Sequence, residues 1–227
     1  MMFSIGGAIS LLSYFIGSIP TGYLVGRSQG IDIRQHGSGN IGATNIFRTL
    51  GKKYGVFVFV CDALKGLLSV RLAMAFNHQF PAAGIPDSIA GIMAAICCIL
   101  GHNFTCWLQF KGGKGIATSA GVLIGMLPLA SLGLVVVWTL AFYTTGYVSL
   151  ASILAALSLP AIVFLLLLLG LVNGWPYFYF SLVVGIIAVW RHRANIQRLI
   201  NGTESRFHGG QAFNKKPVPP NLNKEQS

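Results

Sequence analysis

The sequence predicts an all-α integral membrane protein with seven transmembrane helices, some of them short, an N-terminus outside and a C-terminus in the cytoplasm. Three observations lead there. Of 227 residues, 54% are apolar and 9% charged, and the mean hydropathy of +0.68 lies well above that of a soluble domain. Six apolar segments reach or approach the roughly 20 residues that a helix needs to cross a bilayer. The basic residues gather between and after those segments, as cytoplasmic loops require.

The first segment, Ile5 to Gly26, has no positive run ahead of it and exceeds the apolar core of a signal peptide, so it reads as a retained span. Arg27, Arg34, Arg48, Lys52 and Lys53 follow, then spans from Tyr54 to Phe76 and from Ser88 to Trp107. Lys111 and Lys114 precede a longer apolar region, Ile116 to Tyr143, which contains Met126-Leu127-Pro128. Spans from Tyr147 to Leu169 and from Trp175 to Trp190 lead into Arg191, Arg193, Arg198, Arg206, Lys215, Lys216 and Lys224. By the positive-inside rule all three basic regions are cytoplasmic. A single helix over Ile116 to Tyr143 would put the last of them on the wrong side, so a turn is expected near Pro128. Each half then has about 14 residues, roughly 21 Å of helix, and must be tilted or sheltered by protein. Residues 1–200 form the membrane-embedded domain, and 201–227 a polar, disordered cytoplasmic tail with no catalytic work.

Composition removes several classes of function. The five carboxylates, Asp32, Asp62, Asp87, Glu204 and Glu225, are too scattered for a two-metal cluster or a carboxylate acid/base pair, so neither metal nor other cofactor is expected. Cys61, Cys97, Cys98 and Cys106 fall in or beside apolar segments without ligand spacing and read as packing residues. A net charge of +11 that flanks membrane spans suits anionic lipid headgroups better than nucleic acid.

Two glycine-rich basic loops hold the chemistry. In the first, Gly37-Ser38-Gly39-Asn40-Ile41-Gly42-Ala43-Thr44-Asn45, small residues alternate with hydrogen-bonding side chains, and Arg48 follows. Such a set can surround a phosphate. In the second, Phe110-Lys111-Gly112-Gly113-Lys114-Gly115, two lysines flank a bend just before a helix N-terminus, a position that favours anions. Neither loop is a dinucleotide fingerprint or a Walker A sequence. Asp62 and Lys65 share a helix face at membrane depth and are expected to pair, with Gly66 admitting a neighbouring helix. His192 and Asn195, also three apart, face the cytoplasmic interface, and Ser149 and Ser152 lie one turn apart on the preceding helix. The substrate should be phosphorylated and linked to lipid.

Taken in order, Gly37 to Asn45 with Arg48, Asp62-Ala63-Leu64-Lys65-Gly66, and Gly101-His102-Asn103 running on to Gly115-Ile116-Ala117-Thr118 resemble the PlsY family of bacterial acyl-phosphate:glycerol-3-phosphate acyltransferases. Gly17-Ser18-Ile19-Pro20-Thr21-Gly22-Tyr23-Leu24 and His192-x-x-Asn195 also look like that family, while Ile41 and Thr105 stand where it often has proline. The resemblance implies transfer of a fatty acyl group from acyl-phosphate to the 1-hydroxyl of sn-glycerol 3-phosphate, giving lysophosphatidic acid and phosphate in the first acylation of phospholipid synthesis. It also implies a multi-pass protein of the bacterial cytoplasmic (inner) membrane, with its active site facing the cytoplasm and functional coupling to an enzyme that makes acyl-phosphate. Ser38, His102, Lys111, Lys114, His192 and Asn195 are assigned to catalysis. Ser38, Asn40, Gly42, Thr44, Asn45, Arg48, Lys111, Gly112, Gly113, Lys114, Ser149 and Ser152 are assigned to substrate and phosphate binding. The base is left among His102, His192 and the substrate's own phosphate. The rival reading from another class is a membrane transporter of an organic phosphate. Because the tail is assigned no work, replacing Lys215 and Lys216 with alanine is expected to leave specific activity intact in a detergent assay.

Overall fold

The computed structural model describes residues 2–207. Most of the predicted tail, including Lys215 and Lys216, lies outside the described residues. Within them every regular element is helical. Seven α-helices have 11 residues or more: α1 (Met2–Ser18), α4 (Lys52–His78), α5 (Asp87–Asn103), α6 (Ile116–Met126), α7 (Pro128–Thr145), α8 (Val148–Leu168) and α9 (Trp175–Arg191). Three helices of 8 residues, α2 (Thr21–Ser28), α3 (Ala43–Leu50) and α10 (Arg193–Ile200), lie at the connections. Four stretches are long and apolar enough to cross a membrane, Ser4–Ser28, Asp87–Leu108, Pro128–Thr145 and Val148–Leu168, while α6 and α9 are apolar but shorter.

The first predicted span departs from expectation. Ile5 to Gly26 is not one helix, because α1 stops at Ser18 and α2 starts at Thr21. Pro20 is the cause: it disfavours helical backbone at Ile19 and has no N–H to donate. The break leaves carbonyls without their helical partners, and tertiary donors fill the gap. The Lys65 ammonium donates to the Ile19 carbonyl at 2.9 Å, and the Thr105 hydroxyl donates to that of Ser18 at 2.6 Å. Thr105, one of the two departures from the family's proline pattern, is thereby a structural donor.

The expected turn at Pro128 is present, with unequal arms. Leu127 leaves helical geometry, and 11 residues precede the turn while 18 follow it. Ile116, at the start of α6, and Trp138, ten residues into α7, line the same cavity, so α7 doubles back along α6. Pro128 sits at the first position of its helix, where a missing N–H costs nothing.

Glycines set the closest helix contact. A Cβ at Gly66 on α4 would run into the Thr118 carbonyl of α6, and one at Gly121 on α6 into the Ala63 carbonyl of α4. Each helix therefore presents a notch to the other's backbone, as expected for Gly66. A large apolar cluster from Ile5 on α1 to Val184 on α9 fills the bundle. A smaller one of Ile31, Ile33, Ile41, Ile46, Leu50, Val58 and Leu108 lies under the first glycine loop and holds it against α4.

Candidate active site

A cavity of about 500 Å³ opens where both glycine loops, α4, α8, α10 and the segment after α10 meet. Its shape starts with the first loop. Gly37 and Gly39 adopt left-handed backbone, at φ +58° and +70°, which lets the chain curl over Asn45. The Asn45 amide then holds the loop from inside. Its Nδ2 donates to the carbonyls of His36 at 3.0 Å and Asn40 at 2.8 Å, and its Oδ1 accepts from the Ser38 amide at 2.9 Å. Asn40 Oδ1 in turn accepts from the Gly42 N–H at 2.8 Å. Asn45 and Gly42, expected to bind phosphate, line the cavity and use these polar groups to hold the loop in shape. Ser38, Asn40, Thr44 and Arg48 line the cavity beside them.

Arg48 reaches across to the segment that follows α10. One Nη2–H donates to the Ser205 carbonyl at 3.0 Å, and the guanidinium lies 4.6 Å from the centre of the Phe207 ring. Its buried Nε–H has no partner among the described residues. Burial lowers its pKa, with Glu204 working against the shift. An arginine nonetheless stays charged at neutral pH.

The second loop behaves differently from expectation. The Gly112 N–H donates to Asn103 O at 3.1 Å and the Gly113 N–H to His102 O at 3.0 Å, so both amides satisfy the last carbonyls of α5 rather than facing an anion. Their own carbonyls accept from Arg191, Nε to Gly113 and Nη2 to Gly112, each at 3.0 Å. Gly112 and Gly113 thus clamp the loop between α5 and α9. Lys111 is exposed and does not line the cavity. Lys114 does, and its ammonium donates to Asn195 Oδ1. Burial brings the Lys114 pKa down to about 8. Glu204 opposes the shift, and Arg198, Arg48 and Arg191 add to it.

His192 joins α9 to α10 and is 2% exposed. Its Nδ1 lies 2.8 Å from the Ala188 carbonyl. A carbonyl can only accept, so Nδ1 holds the proton and Nε2 is left as an acceptor. Burial, with the Lys114 charge second, pushes its pKa down to about 4. At neutral pH His192 is therefore an uncharged acceptor on the cavity wall.

Asp62 and Lys65 form the expected ion pair, at 2.8 Å and nearly buried. Asp62 also accepts from the Thr21 hydroxyl at 3.1 Å. Asp62 and His102 both line the cavity, with His102 Nδ1 3.8 Å from Asp62 Oδ1. Ser152 borders the cavity, and its hydroxyl donates to Val148 O at 2.8 Å and accepts from Trp138 Nε1 at 3.2 Å, a bond between α8 and α7. Ser149 donates to Glu204 Oε1 at 2.7 Å. Glu204, Phe207 and Arg198 were not singled out from the sequence. Glu204 had one visible sign, as one of only five carboxylates in a chain of 227 residues.

An apolar cavity of about 260 Å³ adjoins the polar one, running between α6, α7, α8 and α9 past Leu123, Leu134, Leu159 and Val184. Phe59, Ile116, Trp138 and Ser152 line both. The joined space suits an amphiphile with an anionic head.

The comparisons with known proteins agree with that shape. Residues 7–202 match the glycerol-3-phosphate acyltransferase family. A glycerol-3-phosphate acyltransferase of Desulforudis audaxviator (strain MP104C) is 47% identical over 197 residues, 86% of this chain and 92% of that one. One from Fusobacterium nucleatum is 40% identical, over 87% of this chain and 95% of that one. The crystal structure of PlsY (YgiH), an integral membrane glycerol 3-phosphate acyltransferase, in its glycerol 3-phosphate form superposes with a TM-score of 0.78 at 37% identity, covering 90% of this chain and 96% of that one. Its lysophosphatidic acid form gives 0.75, also at 37% identity, over 89% and 95%.

The loop geometry makes a prediction of its own. Asn45→Ala leaves the Asn40 carbonyl and the Ser38 amide without partners and the His36 carbonyl with the Gly39 N–H alone, at a cost of about 2–3 kcal/mol. Thermal unfolding in detergent should show a lowered Tm for that variant and none for Ser38→Ala.

Proposed function

The chain belongs to the glycerol-3-phosphate acyltransferase family, and we propose that the joined cavities are its active site, with acyl-phosphate as the donor. It is an integral membrane enzyme that acylates glycerol 3-phosphate. The observation that supports the site assignment is the continuity of a polar chamber, lined by Arg48, Lys114, Arg198 and His192, with an apolar slot inside the bundle. The phosphate of glycerol 3-phosphate lies among the cations, and the acyl chain runs between α6, α7, α8 and α9.

Acyl-phosphate is a mixed anhydride with a stable leaving group, so positioning and charge stabilisation are enough for catalysis. The 1-hydroxyl oxygen attacks the acyl carbonyl, an ester C–O bond forms, and the bond from acyl carbon to phosphate oxygen breaks. The hydroxyl proton leaves with the departing phosphate. Arg48, with its unpartnered Nε–H, and Lys114 offset the charge that develops on phosphate and carbonyl oxygens. His192, neutral and with Nε2 free to accept, orients the acceptor hydroxyl. Lys111, exposed outside the chamber, takes no part.

The seven longer helices cross the bacterial cytoplasmic membrane, with the N-terminus outside and the site and C-terminus in the cytoplasm. The reversal at Pro128 and the basic connections support that arrangement. A neighbouring enzyme that makes acyl-phosphate supplies the donor from the same membrane.

The decisive experiment gives the purified protein labelled glycerol 3-phosphate and synthetic acyl-phosphate in detergent, without metal or acyl-CoA. Label should move into organic-extractable lysophosphatidic acid. No product, with uptake of label into sealed proteoliposomes, would establish a transporter instead. Arg48→Ala should lower kcat/KM for glycerol 3-phosphate by about 10- to 100-fold, the loss expected when one charged contact is removed, in protein that still folds. With the Lys114 ammonium as the working form, activity in a pH series should fall as pH rises through about 8.

A further inference from the structure

We infer that Glu204 is a positioning residue for acyl transfer, fixing Asn195 and through it Lys114 in the orientation that meets the acceptor phosphate. The inference rests on the active-site reading above. Glu204 lies beyond α10, where the N–H groups of Thr203 and Glu204 both bond to Arg198 O and fold the chain back over the chamber. Its side chain is 4% exposed. A carboxylate buried to that degree is stable only with strong donors, and it has three. The Ser149 hydroxyl and Asn195 Nδ2 donate to Oε1, both at 2.7 Å, and Arg198 Nε donates to Oε2 at 2.7 Å.

Asn195 is the link that gives this arrangement a chemical consequence. An amide side chain can turn over, exchanging its donor and acceptor ends. Between a carboxylate that only accepts and an ammonium that only donates, just one orientation makes both bonds. Glu204 therefore keeps Asn195 Oδ1 turned toward Lys114, and Lys114 keeps two further N–H groups for substrate. The electrostatic setting adds to this. The charged groups that act on Lys114 are Arg48 from α3, Arg191 at the end of α9, Arg198 from α10 and Glu204, and of these only Glu204 is negative. His192 beside it is neutral, and Asp62 and His102 at the cavity wall belong to the Lys65 pair.

Glu204→Gln removes the charge and lets position 204 donate as well as accept, so Lys114 alone is left to hold Asn195 one way. The expected result is a rise of about tenfold in KM for glycerol 3-phosphate, larger than the fall in kcat, with the alkaline limb of the pH profile moved down by roughly one unit. Glu204→Asp keeps the charge but draws the carboxylate back from Asn195. It should raise KM while leaving the limb in place, an outcome that mere filling of space would not give. A second readout needs no turnover: labelling of Lys114 by a water-soluble amine reagent across pH, followed by mass spectrometry, should show a midpoint at lower pH in Glu204→Gln. Folded Glu204→Gln and Glu204→Asp proteins with wild-type KM, or an unshifted Lys114 midpoint, would overturn the inference. A wild-type protein without acyl transfer would refute the active-site reading instead, and the labelling midpoint would still decide whether Glu204 governs Lys114.

Discussion

A helix broken inside an apolar bundle is tolerated only if the carbonyls it exposes find donors, because no water is there to supply them. The gap between α1 and α2 meets that condition through Lys65 and Thr105. Lys65 can take the role because Asp62 neutralises it, and Asp62 in turn accepts from Thr21, just past the break. One buried ion pair therefore ties α1, α2 and α4 together. His102, beside Asp62, borders the same cavity, and the second glycine loop closes over it.

Above that floor, charge balance shapes the chamber. Arg48, Lys114, Arg191 and Arg198 crowd a small space, and Glu204 is the negative group that makes their proximity tolerable. Such a site has a net positive excess and partly unmatched donors, the Arg48 Nε–H among them. Such an arrangement suits a phosphate group, and preorganisation of this kind is what the proposed transfer, in which the protein lends no nucleophile, requires.

Much of this was legible in the residues alone. Hydropathy located the long helices, Pro128 the reversal, and the three-residue spacing the Asp62–Lys65 pair, because each is a local pattern with a direct physical consequence. The convergence of Ser38, Arg48, Lys114, His192 and Asn195 on one cavity followed from placing all the basic loops on one face. What escaped were properties of partnership. Glycine-rich spacing suggested open amides at Gly42, Gly112 and Gly113, yet the first is taken by the Asn40 side chain within its own loop and the other two by carbonyls at the end of α5. Lys111 and Lys114 look alike in sequence, and only the bend between them sends one outward. Pro20 lay inside an apolar run whose length hid the break. Glu204 and Phe207 fell in a stretch whose polar composition suggested solvent, although Glu204 packs against the chamber and Phe207 on Arg48.

The wall shared by the two cavities has a consequence for the traffic of reactants. In the proposed reaction glycerol 3-phosphate dissolves in water and a fatty acyl-phosphate partitions into lipid, so the two do not meet at useful concentration in either phase. Trp138, Phe59 and Ile116 stand where the two cavities join. On that reading the molecule joins two solvents: each reactant stays in its own medium up to the reacting atoms, and the product forms already anchored in the bilayer that will use it.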